Sequence, residues 1–229
     1  MTEQNDMAGP AGGYQRTRRE AGWVPDHVGR YEALTETESI IYYDRYFDLL
    51  DLVVVRAALR AGDRVLDIGA GLGALSRRCA ADRRASVTGF DPSWPMLEGA
   101  LLRRPPALRE TLGFVHADHP FLTLPVADAK ADAVVSSFAF HHVRPDHHAG
   151  AIREMARVLR AGGRLVVGDV MFPSRARMQT ALDDYAGELE PEHFGLLDRL
   201  EPAFKAAGLS FTAEPVGAIS WVVHGVRRG

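Results

Sequence analysis

The 229-residue chain has a single cysteine, Cys79, so no internal disulfide can form and stability must come from a packed core. Nowhere do about 18 uncharged apolar residues run together, which argues against a membrane-spanning helix. The opening "MTEQNDMAGPAGG" lacks the apolar stretch of a signal peptide. An excess of positive charge is also missing: 27 Lys and Arg stand against 30 Asp and Glu, for a formal net charge of -3. The chain therefore exerts no general pull toward nucleic acid or an anionic membrane. The expectation is a cytoplasmic protein acting on small molecules, with its oligomeric state left open. The arginine pairs Arg77/Arg78, Arg83/Arg84 and Arg103/Arg104 are expected at solvated helix ends.

What is present is a hydrophobic fraction of 46%, enough for one globular domain of this length. The first dozen residues, small and polar with glycines and a proline, are expected to be disordered. In "TETE", Thr35 with Glu38 offers a capping box, and Ile40, Tyr43, Phe47, Leu50 and Val54 recur at helical spacing up to Gly62. The strand "RVLDI" follows, then a glycine loop, then a helix with Leu75 and Cys79 on one face, which makes Cys79 a core thiol. The alternation continues through the strand "SVTGF" to Asp91, a helix from Ser93, and the strands "GFVHA" and "ADAVVSSF". Next, Asp146 is expected to cap a helix lined by Ile152, Met155, Ala156 and Leu159, which Gly162 and Gly163 stop before the strand "RLVVGDV". Apolar strands alternating with helices predict a parallel sheet covered on both faces. Two helical segments follow, Arg175 to Glu188 and one carrying Phe194, Leu197, Leu200 and Phe204. The strands "SFTAEPV" and "AISWVVHGV" then read as a closing hairpin.

Open parallel sheets bind ligands beyond the carboxyl ends of their strands, which is where "VLDIGAGLGALSRRC" sits. Gly69, Gly71 and Gly73 let the backbone turn tightly and approach a ligand, and the helix that follows offers unpaired N–H groups. Such a loop suits nicotinamide dinucleotides, flavins and S-adenosylmethionine alike. Two acids separate these readings. Asp67, two residues before Gly69, would repel a pyrophosphate and attract an ammonium. Asp91, ending the second strand, can accept from both ribose hydroxyls, so it indicates an adenosine without naming the cofactor. Asp118, after the third strand, can accept from an adenine amino group.

The order and spacing of Asp67, the glycines, Asp91 and Asp118 resemble the class I S-adenosylmethionine-dependent methyltransferases. The resemblance runs from about Tyr31 to the end and is carried by "VLDIGAGLG", "GFDPSWPML", "HADHPFLTLP", "VVSSFAFHHV" and "REMARVLRAGGRLVVGDVMF". It implies a Rossmann-like α/β fold of seven strands in the order 3-2-1-4-5-7-6, the last strand antiparallel, with helices on both faces and an N-terminal helical lid. It also implies a division into a disordered stretch over 1–13, a lid and cap over 14–62, and a cofactor-binding domain over 63–229. By the same resemblance Asp67 and Gly69, Ala70, Gly71 and Gly73 hold the amino-acid part and ribose, and Asp91 takes the ribose diol. Pro92 and Met96 face the adenine, Asp118 and His119 flank its edge, and Ser137 and Phe138 lie beside the methionine moiety.

Methyl transfer is an in-line displacement that needs a base only where the nucleophile is protonated. His141 and His142, just after the fourth strand, are candidates because a neutral imidazole accepts a proton near neutral pH. Six of the nine histidines fall between His116 and His148. Adjacent pairs such as His141/His142 should point apart on a strand or helix, however, so no metal site is expected. Of the aromatics ahead of the first strand (Trp23, Tyr31, Tyr42, Tyr43, Tyr46 and Phe47), Tyr43 and Phe47 follow the packing stripe. Tyr14, Tyr31 and Tyr42 are freer to face the ligand, with Tyr42 a further catalytic candidate. Tyr185, Asp169 and Trp221 are additional pocket candidates. The leading reading is methyl transfer to a small molecule. Its alternatives are cyclisation of S-adenosylmethionine to azetidine-2-carboxylic acid with loss of methylthioadenosine, and non-catalytic binding of S-adenosylmethionine. The glycine loop also permits a nicotinamide-dependent oxidoreductase, but the place of Asp67 and the missing Tyr-x-x-x-Lys argue against it.

Overall fold

The structure is a computed structural model that describes residues 44–189 and 191–229. The expectations for Tyr14, Trp23, Tyr31, Thr35 to Glu38, Tyr42 and Tyr43 lie outside those residues. Among the described residues, no helix is long and apolar enough to cross a membrane.

The first helix, α1 (Tyr46–Ala57), buries Tyr46, Leu49, Leu50, Val53, Val54 and Ala57. These positions recur at the 3- and 4-residue steps of one helix face. Phe47 sits off that stripe and is 41% exposed, with the Arg78 guanidinium 5.3 Å over its ring. The expected core role of Phe47 is therefore corrected: its spacing to Leu50 and Val54 is helical, but the stripe is centred on Leu49, Leu50 and Val53.

The strands β1 (Arg64–Ile68), β2 (Ser86–Asp91), β3 (Leu112–His116), β4 (Ala131–Ser137) and β5 (Leu159–Phe172) form a parallel array. Between them lie α2 (Ala74–Arg83), α3 (Trp94–Leu102) and α4 (His148–Val158). After β5 come α5 (Arg175–Asp184), the two-residue β6 (Gly195–Leu196), α6 (Leu197–Ala206), and the hairpin of β7 (Thr212–Pro215) and β8 (Ser220–Val226). The sheet runs β3-β2-β1-β4-β5-β8-β7, with β6 paired off the path to β5. Without β6 this is the expected 3-2-1-4-5-7-6, and β8 lies antiparallel to β5. The winding reverses between β1 and β4, so the crevice opens at their carboxyl ends.

Period-2 alternation assigns the strands' side chains to two apolar layers. Val65, Val135, Val166 and Val170 pack into the layer that holds α1 and α2, whereas Leu66, Val134, Leu165 and Val167 pack with α4 and α6. Each fully buried Leu or Val contributes roughly 1.5–3 kcal/mol. The approach of α1 to β5 is close enough that a Cβ on Gly168 would stand 2.5 Å from Leu49 Cδ2. This contact sets α1 over the carboxyl ends of β4 and β5.

Two boundaries differ from expectation. The helix α4 is preceded by a short 3-10 turn (Pro145–His147) and has His147 at its N-cap, while the Asp146 carboxylate pairs instead with Arg144 at 3.1 Å. The guanidinium outcompetes the helix amides for it. The same helix stops at Val158, and Leu159 is already strand. Gly162 and Gly163 therefore lie inside β5, where the pairing with β4 shifts register between Ala131 and Ala133. A Cβ on Gly163 would sit 2.9 Å from the Arg160 carbonyl oxygen, so the irregular strand, rather than a helix stop, needs the glycine.

Candidate active site

The site begins at the end of β1. Asp67 shares its face with Val65, toward α2, and is 1% exposed. Its Oδ2 accepts from the Ser76 hydroxyl at 2.5 Å, while its buried Oδ1 has no hydrogen-bond partner among the described residues. Burial, helped by the charge of Asp91, pushes the Asp67 carboxyl from 3.8 up to about 7, against the Ser76 bond.

The backbone then reverses through three left-handed glycines, with φ of 75° at Gly69, 51° at Gly71 and 75° at Gly73. Two of them are closed in by protein. A Cβ on Gly69 would stand 2.3 Å from Ala139 Cβ, and one on Gly73 would stand 2.6 Å from the Phe114 ring. Gly71 is different: no described atom lies within 4 Å of where its Cβ would be. The loop is fastened to β2, with Gly69 N and Ala70 N donating to the Phe90 carbonyl at 2.8 and 3.0 Å. Asp91 completes the tie, accepting from Gly71 N at 2.8 Å and from Ser93 N at 2.9 Å. It is 7% exposed, and burial raises its carboxyl to about 6. Each carboxylate oxygen has a second lone pair for a ribose hydroxyl.

Ser93 caps α3 by accepting from Met96 N at 3.3 Å, which brings Pro92 and the buried Met96 onto the same corner as Asp91. Asp118 is exposed just past β3, and the half-buried His119 uses its carbonyl to accept from Leu122 N and Thr123 N. Ser137, half-buried, ends β4. Phe138 follows with φ of 47°, a left-handed backbone that is costly for an aromatic residue. Its amide donates to the Gly168 carbonyl at 2.9 Å, and its ring stacks on Tyr46 with centroids 5.3 Å apart.

His141 and His142 belong to a 3-10 turn (Phe140–His142), and their ring centroids are 4.1 Å apart. This corrects the expectation that they diverge: the pair lies on a single short turn where neither the strand nor the α-helix period applies, and the two rings meet edge to face. Among the described residues no group of three or more His, Cys, Asp or Glu is placed to hold a metal ion. The His141 Nδ1 lies 2.7 Å from Asp169 Oδ1, a partnership that sequence spacing could not reveal. His148 is structural, with Nε2 2.8 Å from the Val143 carbonyl and burial pushing its pKa down. Of the further pocket candidates, Trp221 is half-buried against the α4/α6 layer and opposite Asp169 in the β5–β8 register, and Tyr185 is half-buried against the α1/α2 layer. The sequence reading also missed the exposed Trp94, whose ring stacks on His116 at 4.4 Å, and Ser76, whose only sequence signal is a hydroxyl on a buried helix face.

S-adenosylmethionine fits these residues. The bare Asp67 oxygen is an acceptor for an ammonium, and Gly71 leaves space where any side chain would intrude. Residues 66–167 match the family model described as a methyltransferase domain. An uncharacterized methyltransferase of Geobacillus sp. (strain WCH70) is 30% identical over 216 residues, covering 90% of this chain and 95% of that protein. The fold is similar to that of Haemonchus contortus phosphoethanolamine N-methyltransferase 2 in complex with S-adenosyl-L-methionine, with TM-score 0.74 and 15% identity over 96% of this chain and 61% of that one. It is also similar to a complex containing the Haloferax volcanii Trm112 methyltransferase activator and a methyltransferase, with TM-score 0.69 and 19% identity over 90% of this chain and 98% of the matched chain. The chain belongs to the class I S-adenosylmethionine-dependent methyltransferase family, and S-adenosylmethionine is its cofactor.

Proposed function

We propose that this enzyme transfers the methyl group of S-adenosylmethionine to a small molecule. The observation that carries the reading is Asp67: a carboxylate 1% exposed, with one oxygen unsatisfied and a second buried acid, Asp91, at the next strand end. Two buried acids this close are costly without a cation, and a ligand that carries one offsets the cost. In this reading Asp67 and the backbone of Gly69, Ala70, Gly71 and Gly73 hold the amino-acid part. Asp91 takes the ribose diol, Pro92 and Met96 face the adenine, and Asp118 and His119 flank its edge. Ser137 and Phe138 lie beside the methionine chain; Tyr31 and Tyr42, outside the described residues, are the further ligand-facing candidates. His141, His142 or Tyr42 takes the acceptor's proton. Bound there, the cofactor supplies a methyl group on a sulfonium, open to in-line attack.

The test is calorimetric titration with S-adenosylmethionine, followed by incubation with S-adenosylmethionine alone and then with candidate acceptors. The expected results are micromolar binding, no methylthioadenosine from the cofactor alone, and S-adenosylhomocysteine once an acceptor is supplied. Release of methylthioadenosine without an acceptor would replace methyl transfer by cyclisation. The variant Asp91→Ala is expected to lose micromolar binding while keeping its circular dichroism spectrum. It also frees the Gly71 and Ser93 amides, so its melting temperature should fall by several degrees. Undiminished binding would remove the ribose assignment.

A further inference from the structure

Asp169, on β5, is 1% exposed and accepts three hydrogen bonds. Its Oδ2 takes the His141 amide at 3.1 Å, and its Oδ1 takes the Val170 amide at 2.7 Å and His141 Nδ1 at 2.7 Å. One carboxylate thus holds both the backbone and the ring of a single histidine. A carboxylate can only accept, so Nδ1 carries the proton and the ring's lone pair is on Nε2. The His141 side chain is 8% exposed, and this enclosure strengthens the interaction with Asp169.

The pair also sits beside the cofactor loop. Gly168, the residue before Asp169, accepts from Phe138 N, and Ala139, two residues before His141, occupies the space that a Cβ on Gly69 would need. Among the described residues, three further histidines stand near it. His142 on the same turn stands 4.1 Å away between ring centroids, His193 donates its amide to the His141 carbonyl at 3.2 Å, and His148 on α4 is kept neutral by burial. Among the described residues, Asp169 has one ion-pair partner, His141, and no arginine or lysine competes for it.

We propose that Asp169 is a positioning residue that fixes His141 as the proton acceptor, and that the substrate is a small molecule whose attacking oxygen, sulfur or nitrogen carries a proton. The inference rests on the methyl-transfer reading. In the step, a bond forms between the attacking atom and the methyl carbon. The carbon–sulfur bond breaks with its electron pair passing to sulfur, which turns the sulfonium into a thioether. The proton of the attacking atom moves to His141 Nε2, the resulting imidazolium is stabilised by Asp169, and the proton leaves to solvent when the product departs. A tertiary amine has no proton to lose and would gain nothing from this pair.

The test has two arms on the full chain. Nitrogen-15 histidine NMR, assigned by the signal lost in His141→Gln, should show His141 protonated at Nδ1, and Asp169→Asn should shift it toward the Nε2–H tautomer. Methyl transfer from tritiated S-adenosylmethionine is then measured with 4-nitrophenol, 2-mercaptoethanol, benzylamine and N,N-dimethylbenzylamine. The first three should be accepted in preference to the tertiary amine. Both His141→Gln and Asp169→Asn should lower kcat by about 10²-fold or more, keep cofactor binding within about threefold, and displace the rising limb of the pH profile. Should Asp169→Asn fail to fold, the wild-type tautomer together with the kinetics of His141→Gln still decides the assignment. The proposal is overturned by an Nε2–H tautomer in the wild type, by variants within about twofold of wild-type kcat, by a preference for N,N-dimethylbenzylamine, or by no transfer to any protonated probe. A wild type that does not bind S-adenosylmethionine at all would sink the methyl-transfer reading instead, whatever the tautomer.

Discussion

Binding of S-adenosylmethionine should weaken steeply as pH falls, because the carboxylate assigned to its ammonium is protonated just below neutrality. Burial holds the Asp67 carboxyl at about 7 in the free protein. Only the ionised form attracts the ammonium, so affinity follows the ionised fraction. From about pH 7.5 to about pH 5.5 that fraction drops by more than tenfold, equivalent to about 2 kcal/mol of binding free energy. The window stops near pH 7.5 because an α-amino group itself deprotonates at roughly 7.7–8.0. Asp91, at about 6, adds a shallower loss at the acid end. Stability runs the other way. A carboxyl whose folded pKa is raised favours the folded state while protonated, and that contribution is lost as pH rises from 3.8 through about 7. The difference corresponds to about 4 kcal/mol, reduced to roughly 1–3 kcal/mol for Asp67→Asn because the new amide leaves a buried donor unpaired. Above neutrality Asp67→Asn should thus melt higher than the wild type, bind the cofactor at least tenfold more weakly, and lose most of the pH slope. Isothermal titration calorimetry at four pH values, paired with thermal melts, reads all three. An affinity flat across the window, or an equal slope in Asp67→Asn, would refute the assignment of Asp67 to the ammonium.

Gly69→Ala and Gly71→Ala should fail in different ways. The Cβ at Gly69 would overlap Ala139 and cost several kcal/mol, read as a lowered melting temperature that Ala139→Gly partly restores. The Cβ at Gly71 meets no described atom, so this variant should fold with a loss of about 1–2 kcal/mol from its left-handed backbone and bind the cofactor poorly in calorimetry. Equal binding losses in two equally stable variants would contradict this division. Cys79 is 0% exposed, and burial raises its thiol pKa, so 5,5′-dithiobis(2-nitrobenzoate) should label it only on unfolding. Rapid labelling of the native protein would contradict its place on the buried face of α2.

The parts of the fold read correctly from sequence are those whose signal is local. The strand carrying Asp67, the three glycines, the helix beginning at Ser93 and the shared face of Leu75 and Cys79 each need only a few neighbouring residues to be recognised. The misreadings arose where a tertiary partner decides. Asp146 has the sequence context of a helix cap, but Arg144, two residues away, offers a full charge. Leu159 continues the helical spacing of Ile152 and Met155, yet pairing with Ala131 draws it into β5. Phe47 lies one residue from the buried stripe, and only the contact of Leu49 and Val53 with Gly168 sets the rotation of α1. The strand order came from family resemblance, since periodicity reports which face of a strand is buried and not which strand lies beside it.

The site divides along the same line. The carboxylates at the strand ends were legible because each stands near the carboxyl end of one of two adjacent parallel strands, Asp67 opposite Gly89 and Asp91 two residues further along β2. The His141–Asp169 pair has no such signature. Its members are 28 residues apart, and Asp169 is an acid within an apolar run that a central strand would ordinarily exclude. That exclusion is itself the clue. A charged residue in the buried strand "RLVVGDV" requires a compensating donor, and here three N–H groups converge on it, two of them from one histidine. Asp67 is compensated by one hydroxyl only, and its second oxygen is bare. The two buried acids thus differ in kind: Asp169 is satisfied by the protein and fixes a side chain, whereas Asp67 is left incomplete and is satisfied by a ligand.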